Sequence, residues 1–271
     1  MRYDFPIIVS IATVPSRIAH LKPTIESLLA GALVPDQIII THPEFCEWEG
    51  RGYEAPEFLI DPAFCGTIVR RVISPQDWGS GTKLLGSLHE IPDNALIILA
   101  DDDVAYHPRF VQTLVEAHSA TRDRSFSFYV ELHRGLVVGQ GCDGISLWKD
   151  YLTGVEAFVR THVAGTTLRY HDDLWLRFFL LKQSVSAHKA ELPPGERLIY
   201  TQLVPNDVLS APKDPSLARH VILDTHFERM LRVCAPSNRA ILEIRLRALR
   251  HAASSLVSRA INKLMPGKAG L

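Results

Sequence analysis

Residues 95–103 read ALIILADDD, six apolar residues followed directly by three aspartates. An uninterrupted apolar run of this length is typical of a strand buried on both faces of a mostly parallel sheet. Three carboxylates packed at the end of such a strand repel one another unless a cation lies nearby. Carboxylate oxygens suit Mg²⁺ or Mn²⁺, which proteins bind through one or two carboxylates together with substrate phosphates. The stretch therefore predicts either a divalent-cation site at a strand end or, as the simpler alternative, a solvated acidic turn.

The chain has 271 residues, 46% of them hydrophobic, and a formal net charge of −1. This length and composition predict a large core in one domain with a tail, and the charge provides no field that would attract nucleic acid. The four cysteines form no C-x-x-C pair, which argues against a zinc site or a disulfide framework. No stretch approaches the ~20 apolar residues of a membrane helix, and the first residues lack the pattern of a signal peptide. We therefore expect a cytoplasmic protein without a nucleic-acid partner.

Strand patterns alternate with helix patterns over the first 120 residues, which predicts βαβ units and a mostly parallel sheet. Strands are expected at residues 7–14, 37–41, 66–73, 95–100, 145–148 and 198–202, and a hairpin between 125–130 and 136–138. Helices are expected at residues 17–32, 83–90, 108–118 and 172–182. The predicted fold is α/β and Rossmann-like over residues 1–215, with helices flanking the sheet, followed by a helical extension over residues 216–271.

The three aspartates are expected at the carboxyl end of their strand, where ligands bind in open α/β sheets. Side chains two residues apart share a face of an extended chain, so Asp101 and Asp103 are the expected metal ligands and Asp102 points elsewhere. Thr13 and Arg17 follow the first strand at the same edge of the sheet. The forked guanidinium of Arg17 could bind a diphosphate, or it could be an ordinary solvated charge at a helix start.

The loop WGSGTK, residues 78–83, leads into a predicted helix. Free backbone N–H groups at a helix start can hold a phosphate, and Lys83 would add a positive charge. The loop lacks the spacing G-x-x-x-x-G-K-[ST], so it is not a P-loop, and a plain surface loop is the alternative.

A second acidic pair, Asp172 and Asp173, opens a later predicted helix. Acidic residues in the first turn of a helix are favoured by its dipole, so helix capping explains them without any catalytic role. The functional interpretation makes one of them a general base that takes a proton from an acceptor hydroxyl. Asp173, which directly precedes the apolar Leu174, is the first choice, and Asp172 is the second.

In their order and spacing these motifs resemble a GT-A glycosyltransferase, most closely the inverting nucleotide-sugar transferases of the family-2-like or exostosin-like type. The resemblance extends over about residues 6–183. Two features depart from it, because the usual Glu-Asp pair is here Asp-Asp and the Gln-x-x-Arg-Trp motif of processive synthases is missing. The second departure favours a single transfer. The residues that match are Thr13, Arg17, Lys83, Asp101, Asp102, Asp103, Asp172 and Asp173.

The resemblance implies a metal-assisted transfer of a sugar from a nucleotide-diphosphate sugar to a glycan or lipid-linked acceptor, as in cell-envelope polysaccharide biosynthesis. A Mn²⁺ or Mg²⁺ ion held by Asp103 and Asp101 would bind the donor diphosphate, and Asp173 would deprotonate the acceptor. Gly141, Trp148 and His171 would line the acceptor side, although a tryptophan is more often core and a lone histidine more often structural.

The last 35 residues, 237–271, contain seven Arg or Lys and one acidic residue among regularly spaced apolar residues. This pattern is typical of a basic amphipathic helix that lies on an anionic membrane, which would place the protein at the inner face of the cytoplasmic membrane. A helix that packs on the catalytic domain with a solvated arginine face is the alternative.

Two other functions have to be weighed against sugar transfer. A sugar-phosphate nucleotidyltransferase has a similar sheet, but it usually has a glycine-rich loop after the first strand, and residues 12–17 here read ATVPSR. A non-catalytic module that only binds nucleotide sugars is the other, and the intact aspartates in both acidic clusters argue against it.

Overall fold

The computed structural model describes residues 3–118, 121–203 and 215–264 of the chain. Its strands are β1 (Ile7–Ala12), β2 (Gln37–Pro43), β3 (Phe45–Cys46), β4 (Arg51–Gly52), β5 (Val69–Ser74), β6 (Leu96–Ala100), β7 (Val104–Tyr106), β8 (Arg124–Ser127), β9 (Val130–His133), β10 (Leu136–Gly139), β11 (Ile145–Trp148), β12 (Ser186–Lys189) and β13 (Tyr200–Gln202). Its α-helices are α1 (Lys22–Leu29), α2 (Thr82–Leu85), α3 (Phe110–His118), α4 (Val155–His162), α5 (Asp172–Lys182), α6 (Arg219–Cys234) and α7 (Asn238–Leu264).

A seven-stranded sheet with the order β12-β8-β11-β6-β1-β2-β5 forms the centre of the molecule. Strand β11 runs antiparallel to its neighbours β6 and β8, and the other four pairings are parallel. In register, Ile11 on β1 pairs with Ala100 on β6, so these two strands end side by side. The mostly parallel, Rossmann-like sheet predicted from the sequence is therefore confirmed.

Helices cover both faces of the sheet, and each face has its own apolar core. Successive side chains of a strand point to opposite faces, so β6 sends Ile97 to one core and Ile98 to the other. The first core contains apolar residues of α4, α5 and α6, and the second contains those of α1 and α3. Burial on both faces explains why β1, β2 and β6 are almost continuous apolar runs.

Two of the predicted helices are shorter than expected. The segment predicted as a helix at residues 17–32 contains a 3₁₀ turn, Ile18–His20, and then α1, which has a proline in its first turn. The segment at residues 83–90 divides into α2 and the 3₁₀ turn Leu88–Glu90, with Gly86 after α2. A Cβ atom on Gly86 would lie 2.6 Å from the Thr41 methyl group, so this glycine lets α2 approach the sheet closely.

The predicted hairpin has the wrong first strand. Residues 124–127 form β8, an inner strand of the main sheet, and the hairpin instead pairs β9 with β10. Its two-residue turn is Arg134-Gly135, and both residues have positive φ angles, 45° and 85°. Strand β12 was not predicted, because its sequence SAHK is largely polar. Helix α4 was also missed, although its buried residues Val155, Phe158 and Val159 recur at helical spacing.

The C-terminal helices pack on the rest of the protein. Helix α6 buries six apolar residues in the same core as α5, and the rings of Phe227 and Phe178 lie 5.9 Å apart. Helix α7 contacts the β9–β10 hairpin, where Ile244 is buried and Arg247 donates to the Gly135 carbonyl at 3.4 Å. The domain division at residue 215 stays a prediction. None of the helices in the described part of the chain is long and apolar enough to cross a membrane.

Candidate active site

A cavity of about 760 Å³ opens at the carboxyl ends of β1, β2 and β6. It is lined by ten of the eleven residues that were selected from the sequence. Because these residues lie up to 160 positions apart in the sequence, their convergence is a property of the fold. They are Thr13, Arg17, Lys83, Asp101, Asp102, Asp103, Gly141, His171, Asp172 and Asp173.

The loop between β5 and α2 holds the start of α5, where Asp172 and Asp173 lie. Its Ser80 hydroxyl accepts a hydrogen bond of 3.0 Å from the backbone N–H of Asp172, at the start of α5. The first turn of α5 is therefore anchored to the loop that leads into α2. The fold itself thus brings the start of α5 beside the end of the aspartate strand.

Arg17 neutralises two of the three consecutive aspartates. One terminal nitrogen of its guanidinium lies 3.0 Å from Asp102 Oδ1 and 2.7 Å from Asp103 Oδ2. As the alternation of an extended chain predicts, Asp102 is turned inward and is only 3% exposed. Burial raises the pKa of Asp102 to about 6, although Arg17 and a hydrogen bond from Thr13 oppose the rise. Its second oxygen, Oδ2, is buried without a hydrogen-bond partner among the described residues.

Asp103 lies at the more open end of this cluster. Burial raises its pKa, and the positive charge of Arg17 acts in the opposite direction. The Gln202 side chain on β13 also donates to Asp103 Oδ2, at 3.2 Å. Asp103 therefore already has two donors, and an incoming ligand would have to replace them or share them.

Lys83 joins the first acidic cluster to the second. Lys83 is only 5% exposed, and its ammonium group lies 2.6 Å from Asp101 Oδ1 and 3.4 Å from Asp172 Oδ2. Burial alone would lower the pKa of Lys83, but the two carboxylates outweigh it and raise the pKa. The lysine is therefore charged, and it acts as a resident counter-ion between the two clusters.

Arg219 is the counter-ion of Asp173, just as Lys83 is the counter-ion of Asp101 and Asp172. Its Nε and one terminal nitrogen lie 3.0 and 2.9 Å from Asp173 Oδ2, and its other terminal nitrogen contacts Glu131. Burial raises the pKa of Asp173, Arg219 lowers it, and neighbouring Asp172 raises it further. Arg219 was not predicted as a site residue, because a single arginine at a helix start carries no recognisable pattern.

Aromatic side chains form one wall of the cavity mouth and were also missed. Trp48 is 45% exposed and contacts Tyr170 edge to face, with ring centroids 5.5 Å apart. Deeper in, Tyr53 stacks on His42 at 4.2 Å and donates from its hydroxyl to the Thr13 carbonyl at 2.9 Å. Short strands β3 and β4 carry or flank this wall, and their irregular sequence gave no structural signal.

Of the three residues predicted for the acceptor side, two line the cavity and one does not. The placement of Trp148 is wrong, because it is buried in β11 against Phe5, with ring centroids 4.7 Å apart, and does not line the cavity. Gly141 does line the cavity, but a Cβ atom there would lie 3.7 Å from the Lys83 ammonium, beside the first acidic cluster. His171 lines the cavity, and its Nε2 lies 3.0 Å from the Leu217 carbonyl.

The cavity has an excess of negative charge. Six aspartates and four Arg or Lys side chains line it among the described residues, which leaves two negative charges unbalanced. A diphosphate ligand would add to this excess. The aspartates are Asp77, Asp101, Asp102, Asp103, Asp172 and Asp173, and the cations are Arg17, Lys83, Arg169 and Arg219.

The donor atoms fit a divalent metal that shares its coordination with a substrate. In the described part of the chain, no group of three or more His, Cys, Asp or Glu residues is arranged to hold a metal ion. Mg²⁺ and Mn²⁺ do not require such a cage, since one or two carboxylates with substrate phosphates and water are enough. Asp101 and Asp103, both bordering the cavity, are the residues that would hold the ion.

The fold is shared with a solved glycosyltransferase. The chain is similar to the mannosyltransferase PcManGT from Pyrobaculum calidifontis, whose structure is in complex with GDP-Man and Mn²⁺, with a TM-score of 0.59 and 12% sequence identity. The similarity covers 99% of this chain and 77% of that one. No family model and no curated protein matches the sequence. At this identity the similarity shows the fold alone, a Rossmann-like α/β fold with a mostly parallel central sheet.

Proposed function

We propose that this protein is a glycosyltransferase of the GT-A type, which moves a sugar from a nucleotide-diphosphate sugar to a hydroxyl of a glycan or lipid-linked acceptor. The observation that carries the proposal is the convergence of two acidic clusters on one cavity, with Lys83 between them. The first cluster suits the donor and its metal, and the second suits the acceptor. The fold shared with a mannosyltransferase that binds GDP-Man and Mn²⁺ supports the choice of donor class.

The charge of the cavity supports metal assistance. A site that already has two unbalanced negative charges would repel a nucleotide diphosphate unless a cation entered with it. A bound Mn²⁺ or Mg²⁺ would neutralise charge on the leaving diphosphate. Arg17, next to Asp102 and Asp103, is placed to turn its guanidinium from these carboxylates toward the phosphates of the donor.

Asp173 is the proposed general base. Arg219 binds only its Oδ2, and Oδ1 has no hydrogen-bond partner among the described residues, so Oδ1 is available to an acceptor hydroxyl. Proton removal there would let the hydroxyl attack the anomeric carbon from the face opposite the diphosphate, which gives inversion. Asp172 is less suited because Lys83 already lies beside it. The absence of a Gln-x-x-Arg-Trp motif supports a single transfer.

Turnover of a panel of nucleotide sugars with Mn²⁺ tests the proposal. We expect release of nucleoside diphosphate from one donor, and we expect Asp173→Asn to bind that donor normally but to stop transfer. Asp150→Asn, a change at an exposed aspartate outside the cavity, is the matched control and should keep full activity. Transfer retained by Asp173→Asn would move the base to Asp172 or exclude both.

The same panel, extended with nucleoside triphosphates and sugar phosphates, separates the two alternative functions. A nucleotidyltransferase would release pyrophosphate from a nucleoside triphosphate and a sugar phosphate. A binding module would be stabilised by a nucleotide sugar but would not turn it over. Either result would overturn the proposed transfer.

We further propose that α7 contacts an anionic membrane surface at the inner face of the cytoplasmic membrane. Leu242, Leu246 and Leu249 form an apolar stripe at helical spacing and are 57%, 41% and 67% exposed, while Ile244 packs inward. Exposed arginines flank the stripe, as on helices that bind anionic lipid. Flotation with phosphatidylglycerol vesicles should be lost when all three leucines are changed to serine. Equal flotation of the triple variant and the wild type would refute the contact.

A further inference from the structure

We propose that Arg219 is a positioning residue for Asp173, so that the first turn of α6 completes the active site. The proposal rests on the proposed function, in which Asp173 is the base. It assigns part of the catalytic machinery to the C-terminal extension, which the sequence indicated only as a membrane or packing element. Leu217, Ala218 and His220, the neighbours of Arg219, also line the cavity.

The guanidinium of Arg219 is held by three separate parts of the chain. It donates to Asp173 on α5, to Glu131 on β9 and, at 3.3 Å, to the Gly139 carbonyl at the end of β10. A guanidinium is planar and its N–H groups have fixed directions, so contacts with three parts of the chain fix its orientation. Asp173 Oδ2 is thereby fixed as well, and Oδ1 is directed by the planarity of the carboxylate.

Glu131 is the second carboxylate that contacts the guanidinium of Arg219. With Asp173 and Glu131 on either side, one guanidinium serves two carboxylates and is not available to a third anion such as the donor diphosphate. Lysine in place of Arg219 would keep the charge, but its single ammonium group cannot reproduce the directed contacts with Asp173, Glu131 and Gly139. The orientation of Asp173 therefore requires an arginine at position 219. The electrostatic effect on the pKa of Asp173 requires only a positive charge there.

The positive charge of Arg219 stabilises the charged form of Asp173. Asp173 is buried, and the ionisable groups that face it are Arg219 on α6, Lys83 on α2, and its own neighbours Asp172 and His171. Burial and Asp172 raise the pKa of Asp173, whereas Arg219 and His171 lower it. Without Arg219 the pKa would rise, and a higher pH would be needed to obtain the charged base.

The experiment compares Arg219→Gln and Arg219→Lys with the wild type. For Arg219→Gln at saturating substrates we expect kcat to fall about 10²-fold and the acid limb of its pH profile to move to higher pH, with the donor KM changed less than twofold. For Arg219→Lys we expect an acid limb close to that of the wild type with a kcat that is only partly restored. Arg232→Gln, at an exposed position on the same helix, is the control and should change neither quantity.

A second measurement does not depend on turnover. With ¹³C-labelled aspartate, the carboxyl resonance that disappears in Asp173→Asn can be followed by NMR as a function of pH. We expect it to titrate at higher pH in Arg219→Gln than in the wild type. An unchanged titration in a folded variant, or an unmoved acid limb, would overturn the role of Arg219. If the wild type transfers no sugar but the titration does move, the proposed function fails and the positioning of Asp173 by Arg219 stands.

Discussion

Replacement of Lys83 by methionine tests the ionic link between the two acidic clusters. Methionine keeps much of the apolar stem but removes the ammonium that lies 2.6 Å from Asp101 and 3.4 Å from Asp172. Removal of one partner from a fully buried ion pair costs about 3–5 kcal/mol. The Asp101 side chain is 30% exposed and can be rehydrated, whereas Asp172 stays buried, so we expect the free energy of unfolding to fall by about 3 kcal/mol.

Denaturant unfolding at pH 7 without metal measures this loss. Lys22→Met is the matched control, because Lys22 forms an exposed pair with Glu26 at 3.8 Å, and such pairs contribute less than about 1 kcal/mol. A divalent ion can take the place of the ammonium beside Asp101. We therefore expect Mn²⁺ to stabilise Lys83→Met more than it stabilises the wild type.

Two results would refute the reasoning on Lys83. A loss in Lys83→Met no larger than that in Lys22→Met would show that the ammonium does not hold the two clusters together. Equal stabilisation of variant and wild type by Mn²⁺ would show that Lys83 and the metal do not share Asp101. Either result would return Lys83 to the role first expected from the sequence, a charge that only binds phosphate.

Three further predictions concern the cavity wall, a buried histidine and the hairpin turn. Trp48→Ala should raise the KM for a glycan acceptor severalfold with little change in kcat, because an aromatic face at the mouth binds sugar rings, and an unchanged acceptor KM would exclude that contact. Burial lowers the pKa of His118 to about 4, whereas an unfolded histidine has a pKa of about 6.5, so protonation favours the unfolded chain as the pH falls through this range. In denaturant titrations the free energy of unfolding of the wild type should therefore fall by about 2 kcal/mol more than that of His118→Asn between pH 7 and pH 5. Gly135→Ala should lower the melting temperature, because Gly135 has a φ of +85° and its Cβ would overlap the Ile244 carbonyl of α7; a melting temperature equal to that of Gly195→Ala, which has a similar φ in open space, would show that the contact is unimportant.

The central sheet was predictable because its signal is local. Strands β1, β2 and β6 are buried on both faces, so each is an apolar run that can be recognised without knowing its neighbours. Strand β12 has the sequence SAHK and is only half-buried at the sheet edge, so nothing in it indicates a strand. The hairpin was misplaced because residues 125–130 look like one strand, although β8 ends at Ser127 and β9 begins at Val130.

Site residues could be predicted from the sequence where they directly follow a strand or lie in the first turn of a helix. The aspartates after β6 and at the start of α5 have this placement, and the fold brings them to one cavity. Arg219 and Trp48 were missed because their roles come from contacts with segments far away in the sequence, such as Asp173 and Tyr170. Trp148 was misjudged because an isolated tryptophan in a short strand is consistent with either core or ligand contact, and here it packs in the core.

The most direct test of the proposed function is a sugar-transfer assay with and without Mn²⁺, in the wild type, Asp103→Ala and Asp173→Asn. The proposal predicts metal-dependent release of nucleoside diphosphate by the wild type, loss of both donor binding and turnover in Asp103→Ala, and loss of turnover with donor binding intact in Asp173→Asn. If no donor in a complete nucleotide-sugar panel is turned over, or if both variants behave like the wild type, the assignment of the two acidic clusters to donor and acceptor is contradicted.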